Sequence, residues 1–264
     1  MSRTAPVEMP PHRALLIVDV KDFSTRPGRY HAELTDRIPL ILRQAFQRCG
    51  LVDMWDETRF SGGTGDGYYL GFTSMKLPLL LNPFLPALQE ELDYRNTLAA
   101  AEAPMRMRVS VQVGPMTDDS ISDLSTGSGD ARVQAHRLLD AEPVRDLLTR
   151  STHKTCVAAI VSQAAYANAV QGGYTGESPD DYVATPVRVK QFEGIAYLRV
   201  PTPTGDLLKQ GFVPAEAPPA AAVAEKPGAN TSNTMNFSGA SGTFVGVNQN
   251  STNHGKQNYR VGHD

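Results

Sequence analysis

The apolar and polar positions follow two periods along the chain. The first signal is a run of five apolar residues, Ala14 to Val18, closed by an acid, Asp19. It is short, rich in branched side chains and followed by a turn, so it predicts a buried strand over 13–20. Leu34, Ile38, Ile41, Leu42, Ala45 and Phe46 then recur at helical spacing and predict a helix over 34–48, stopped at Gly50. A strand is expected over 57–60, a turn over 61–66 and a returning strand over 68–73. A long apolar helical region covers 77–98, its start made irregular by Pro78, Pro83 and Pro86. Residues 106–113 alternate, with Met107, Val109, Val111 and Val113 on one face.

Helices are expected over 130–139 and from Pro143 to Leu148, then a strand over 156–161 and a helix over 163–170. A strand pair, 187–190 with 195–200, closes the pattern. Strands alternating with helices predict an α+β or α/β fold, one mixed β-sheet with helices packed on it. Residues 1–12 are Pro-rich and expected to be loose. Past Pro201 the pattern fades. Residues 204–229 read as a linker, dominated by Ala and Pro over 213–227, and 230–264 are rich in Asn, Gly, Ser and Thr. Too few large apolar residues remain there to build a core, so a disordered tail is expected. Within it FVGVNQ, residues 244–249, is β-prone and uncharged, and suits self-association or partner recruitment.

Composition narrows the class. Hydrophobic residues make 41% of the chain and charged residues 20%, as in a globular protein. The net charge of −3 gives no general basic field, so nucleic acid is not an expected partner. No apolar run reaches membrane-spanning length, and the start lacks the apolar core of a signal peptide, so a cytoplasmic location is expected. Cys49 and Cys156 lie far apart without metal-type spacing and read as buried free thiols.

The candidate chemistry starts at Asp19. A carboxylate at the end of a buried strand is costly unless a cation meets it. A second strand-end acid, Asp66, sits in Gly65-Asp66-Gly67 between two strand-like runs. The two acids could meet across adjacent strands. Divalent metal ions would relieve their repulsion. Taken singly, Asp19 also suits a turn cap and Asp66 a hairpin. The amides of residues 21–24 could cradle phosphate oxygens. Asp118 and Asp119 read as solvated turn residues, and His136 as a helix-face residue.

Four motifs carry a resemblance. LIVDVKDFS, residues 16–24, resembles the opening strand of class III nucleotide cyclases, and GDGYYLGF, residues 65–72, resembles their Gly-Asp hairpin. MRVSVQVGP, residues 107–115, is similar to the family's next strand, and residues 129–138 to the helix that bears its catalytic Arg. The motifs occur in the family's order. The resemblance covers about 13–203 and implies a ferredoxin-like α+β sandwich. It implies Asp19, Asp66 and the Val20 carbonyl as ligands for two Mn²⁺ or Mg²⁺ ions. It implies Arg137 as the catalytic cation, and Arg108, Lys190 and Phe23 as nucleotide-binding residues. It also implies a homodimer whose sites lie between subunits, acids from one and Arg137 from the other.

The chain departs from the family where a purine is read. Gly62 stands where purine cyclases carry Lys or Glu, Thr126 stands at the partner position, and Val133 replaces the ribose-binding Asn, with Gln134 beside it. A base edge left unpaired is penalised, which argues against ordinary purine selection. In this the chain resembles the stand-alone pyrimidine cyclases of the Pycsar antiphage system. Conversion of UTP to cyclic UMP and pyrophosphate, as a defence signal, is the expectation, with Phe60 and Gly62 on the base side of strand two. Cytidylate or adenylate cyclase activity is the alternative, and an inactive nucleotide-binding or assembly module is the second.

Overall fold

The computed structural model describes residues 6–99, 103–118 and 126–213. The tail expected over 230–264, with FVGVNQ in it, lies outside them, as do Asp119 and most of the linker. β1 (His12–Val20) is followed by α1 (His31–Arg48) and α2 (Val52–Asp56), then the hairpin of β2 (Phe60–Gly63) and β3 (Gly67–Thr73). α3 (Leu77–Leu81) and α4 (Phe84–Leu98) lead to β4 (Met107–Pro115), then α5 (Asp130–Leu139) and α6 (Glu142–Arg150). β5 (Val157–Ser162), α7 (Gln163–Tyr166), β6 (Val183–Val189), β7 (Phe192–Arg199) and α8 (Leu207–Gln210) complete the order.

The seven strands form one mixed sheet in the order β2-β3-β1-β4-β5-β7-β6. Only β4 and β5 run parallel. β1 lies at its heart because both of its faces are covered. Leu16 and Val18 join the core beneath α1 and α4, while Leu15 and Ile17 join Ala131, Ala135 and Leu139 of α5 on the other face. A strand covered on both sides reads as an unbroken apolar run, as 14–18 does. α6 and α8 extend the second face with Val144, Leu147, Leu148 and Leu207. The fold is the expected α+β arrangement of a mixed sheet with helices. No helix among the described residues is long and apolar enough to cross a membrane.

Several boundaries differ from the periodicity. β2 runs on through Ser61, Gly62 and Gly63, paired to Tyr68–Leu70, so the turn shrinks to 64–66. Glycine reads as a turn signal, yet here it lets a neighbouring side chain cross the strand. α2 went unread. The last hairpin turns on Lys190 and Gln191, with Gly194 inside β7 opposite Val187. Packing also continues past 203. Leu207 is buried, and Arg150 donates to the carbonyl of Gly211 at 3.0 Å. Cys156 is a buried free thiol, while Cys49 is only half-buried.

One buried side chain joins the two halves of the chain. Gln89 of α4 accepts from the amides of Cys156 (2.8 Å) and Val157 (3.0 Å) and donates to the Lys154 carbonyl (2.9 Å). It satisfies two amides at the entry to β5, where Val157 is paired with Met107 of β4 and the pairing with β7 begins only at Ala159. Gln89→Leu is expected to cost about 3 kcal/mol, because buried amides lose their acceptor. Urea unfolding of the variant beside the wild type measures it.

Candidate active site

The site begins where β1 ends. Asp19 stands directly opposite Arg108 of β4 on one side and Gly67 of β3 on the other. Arg108 points away from the apolar face of β4, as the alternation requires, and grips Asp19 with both arms. Its Nε donates to Oδ1 at 2.7 Å and its Nη2 to Oδ2 at 2.6 Å. Two-point pairing of this kind is the strong form of a charge-assisted hydrogen bond. Asp19 is 6% exposed. Burial raises its carboxyl, Arg108 lowers it and Asp66 adds to the rise, and together they leave it at about 6.

Asp66 is placed by backbone. Its carbonyl accepts from the Val20 amide at 2.9 Å, and the Thr35 hydroxyl of α1 donates to the Gly65 carbonyl at 2.6 Å. Gly67 has to be glycine, because a Cβ there would collide with the Val18 carbonyl. The acid is thereby brought beside the strand end that carries Asp19.

The turn after β1 supplies a concave wall. The Lys21 amide is taken by the Arg106 carbonyl at 2.8 Å, so the expected phosphate cradle shortens to residues 22–24. Asp22 has left-handed backbone (φ 60°, ψ 25°) and leads into a right-handed 3-10 turn over Phe23–Thr25. Successive amides in that alternation curl into an anion nest. A left-handed non-glycine residue is a strained choice, of the kind that collects at functional sites. Val20, Phe23, Asp66 and Arg108 line a cleft of about 350 Å³ with this turn, and Arg145 and Thr149 of α6 close it. Asp19 sits just behind, covered by Arg108.

Lys190 lies outside this cleft. It occupies the β6–β7 turn with φ 53° and lines an adjoining cleft of about 610 Å³, which shares Arg145 and Thr149 with the first. Arg137 is not brought to the acids of its own chain. It sits on α5 one turn past Val133, which is exposed, and makes no ion pair among the described residues. Phe60 is buried at 6% exposure against Leu15, Ile17 and Ala131, so its ring fills core where an open pocket had been expected. Gly62 lies beneath the ring of Tyr69, where a Cβ would strike the phenol. The Arg132 guanidinium stacks on that ring, 4.0 Å from its centroid.

Three residues of this face were not singled out from the chain: Tyr69, Arg132 and Arg145. Their signals are weak, since an Arg on the polar side of a helix is usually solvated. Asp118 corrects the solvated reading. Its side chain is buried and receives Arg13 Nη2 at 2.5 Å and Arg59 Nε at 3.1 Å.

The donor set suits a hard divalent cation. Asp66, Asp19 and the Val20 carbonyl offer oxygen donors, and both carboxylate oxygens of Asp19 are held by Arg108. No group of three or more acidic, His or Cys side chains converges among the described residues. Mg²⁺ commonly takes one or two carboxylates and completes its shell with water and substrate phosphates.

No family model and no curated protein matches the chain. Among solved structures, it is similar to the dimeric guanylyl cyclase domain of the RhoGC fusion protein from the aquatic fungus Blastocladiella emersonii. That likeness has 14% identity over 73% of this chain and 98% of that one, with a TM-score of 0.46. A bacterial light-regulated adenylyl cyclase is similar at 13% identity over 75% and 94%, with a TM-score of 0.47. An adenylate cyclase from Trypanosoma brucei is similar at 12% identity over 76% and 93%, with a TM-score of 0.46.

Arg108→Ala would leave a buried acid without its partner. The expected loss is about 3 kcal/mol of unfolding free energy, and Asp19→Ala with Arg108→Ala should recover part of it. Denaturant melts of the single and double variants test the pairing. Equal losses in both would show that the ion pair is not what holds this end of β1.

Proposed function

We propose that the chain is a homodimeric nucleotidyl cyclase. It converts a nucleoside triphosphate, with UTP favoured, to the 3′,5′-cyclic monophosphate and pyrophosphate, as a signal in antiphage defence. One observation carries the reading. Asp66 lines the cleft beside the turn at 22–24, and Asp19, close enough for the Asp66 charge to act on it, lies behind Arg108. The motifs that resemble class III cyclases are the ones that build this corner.

In the reaction, the ribose 3′ oxygen bonds to the α-phosphorus, the bond to the bridging oxygen breaks, and pyrophosphate leaves with the electron pair. Such transfers depend on positioning and charge neutralisation. Two Mn²⁺ or Mg²⁺ ions, held by Asp19, Asp66 and the Val20 carbonyl, would make the 3′ hydroxyl more acidic and neutralise phosphate charge. The nest at 22–24 receives phosphate oxygens. Arg108 is the chain's own counterion for Asp19, and once released it lies within the cleft that holds the phosphates. Arg137, on the outward side of α5 beside Val133, is offered to the site of a partner subunit, where it meets charge developing on the α-phosphorus.

Base choice follows from the face around Gly62. Position 62 carries no reader, and Tyr69 already occupies the room that one would need. The Tyr69–Arg132 stack narrows the face and presents a planar set of donors, which fits a one-ring base better than a purine. A second reading draws on the same ion pair. Asp19 is already neutralised by Arg108, as it would be in a nucleotide-binding module that no longer turns over.

Incubation of the protein with ATP, GTP, CTP and UTP plus Mn²⁺ is expected to yield cyclic UMP as the main product, identified by mass. Asp66→Ala should lower its rate by at least about a hundredfold. Thermal stabilisation by nucleotide without any product would select the binding module. Mixing inactive Asp66→Ala with inactive Arg137→Ala tests the shared site. Random re-pairing leaves one intact site in each mixed dimer, so about a quarter of wild-type activity should return. No recovery after verified subunit exchange would remove the head-to-tail dimer.

A further inference from the structure

α6 contributes Arg145 and Thr149 to the cleft that Asp66 also lines. Its buried face, Val144, Leu147 and Leu148, packs on the sheet. That fixes the outward face, on which Arg145 and Thr149 stand one turn apart. Three cations line the 350 Å³ cleft: Lys21, Arg108 and Arg145. The first two are engaged. Lys21 Nζ lies 2.5 Å from Asp22 Oδ2, and Arg108 holds Asp19. Among the described residues, the Arg145 side chain has no hydrogen bond or ion pair. Thr149 does not compete for a ligand, since its hydroxyl donates back to the Arg145 carbonyl at 3.2 Å.

Arg145 also borders the second cleft, whose far side is Lys190. The two spaces therefore meet at one guanidinium, with the acids on one side of it and a lysine on the other. Of the remaining charges in the second cleft, Asp146 is bound to Arg150 and Arg188 to Glu193. Asp140 and Glu142 are there as well, so the lining is mixed. A bare polyanion would be poorly received, whereas a phosphate group carrying a divalent cation matches both signs of charge.

We propose that Arg145 is the pyrophosphate-binding residue of this chain, and that the space from Arg145 to Lys190 is where the leaving diphosphate is held and released. The proposal rests on the cyclase reading for its substrate but concerns a separate piece of the protein. It adds to the acid-bearing subunit a cation that the resembling motifs do not contain. A guanidinium pairs two phosphate oxygens at once, and a shorter or single-point donor does so less well. The residue engages the β and γ phosphates of the bound triphosphate. After the α-phosphorus bond to the bridging oxygen breaks, it retains the product that carries them.

Calorimetric titration of the full chain with inorganic pyrophosphate and Mn²⁺ tests the site without requiring turnover. Arg145→Gln is expected to weaken binding by about tenfold or more and Arg145→Lys by less. Lys209→Ala, an exposed charge on α8, should leave it unchanged. In the cyclase assay, Arg145→Gln should relieve inhibition by added pyrophosphate and raise the KM for the triphosphate. Equal pyrophosphate affinity in wild type and Arg145→Gln, with both folded by thermal melt, overturns the proposal, as does a wild type that binds no pyrophosphate. If binding depends on Arg145 while no nucleotide is turned over, the cyclase reading fails and the pyrophosphate site stands.

Discussion

A buried carboxylate cannot stand alone, and the pairing of Asp19 with Arg108 is the solution on which the rest of the site depends. Moving an acid out of water costs several kcal/mol unless a partner of opposite charge meets it in good geometry. Here the partner is the residue directly across the sheet, so the pair also locks β1 to β4 in register. A slip of one residue would turn Asp19 into the apolar layer under α1 and expose Leu16 and Val18 on the wrong face. Because that register holds, β1 ends at a fixed point. The turn that follows, the carbonyl of Asp66 on the Val20 amide, and the position of α6 over the cleft are all referred to it. The interaction that stabilises the fold thus occupies the group best suited to chemistry.

What the chain disclosed in advance was what local patterns can encode. The run 14–18 stood out because both faces of β1 are covered, and the helix of residues 34–48 because one face of α1 is. The acids at 19 and 66 were legible because one sits near the end of β1 and the other closes the turn into β3. The partnership of Asp19 with Arg108 was not, since 89 residues separate them and neither motif names the other. Gly62 and Gly63 read as turn residues, although they belong to β2. The cause lies on another strand, where Tyr69 needs the room. Phe60 looked like a pocket residue until α5 was laid over it. Arg145 escaped notice because polar-face arginines are common and its value comes from which cations around it are already engaged. Asp118 misled in the opposite sense, as an acid in a polar loop that two arginines, Arg13 and Arg59, draw inward.

The charges of the cleft fall into two groups. Arg108 with Asp19, a buried pair, and Lys21 with Asp22, an exposed one, are matched. Arg145 and Lys190, which have no ion-pair partner among the described residues, line a common space. Matched pairs cost little to keep and give the site its shape. Arg145 stands on α6 and Lys190 in the tight β6–β7 turn, so the backbone positions both before any ligand arrives. Asp19 belongs to a matched pair, yet burial still raises its carboxyl to about 6, above the usual carboxylate range.

The seat of Tyr69 over Gly62 bears on how this protein could change over time. A side chain at position 62 would force the ring out, and with it the Arg132 stack and the contact with Phe60. A larger residue there is therefore coupled to the place of the Tyr69 ring, which has to swing aside or become smaller. Packing of one aromatic side chain across a glycine thus ties substitutions at 62 to those at 69, and descendants would be expected to change the two together.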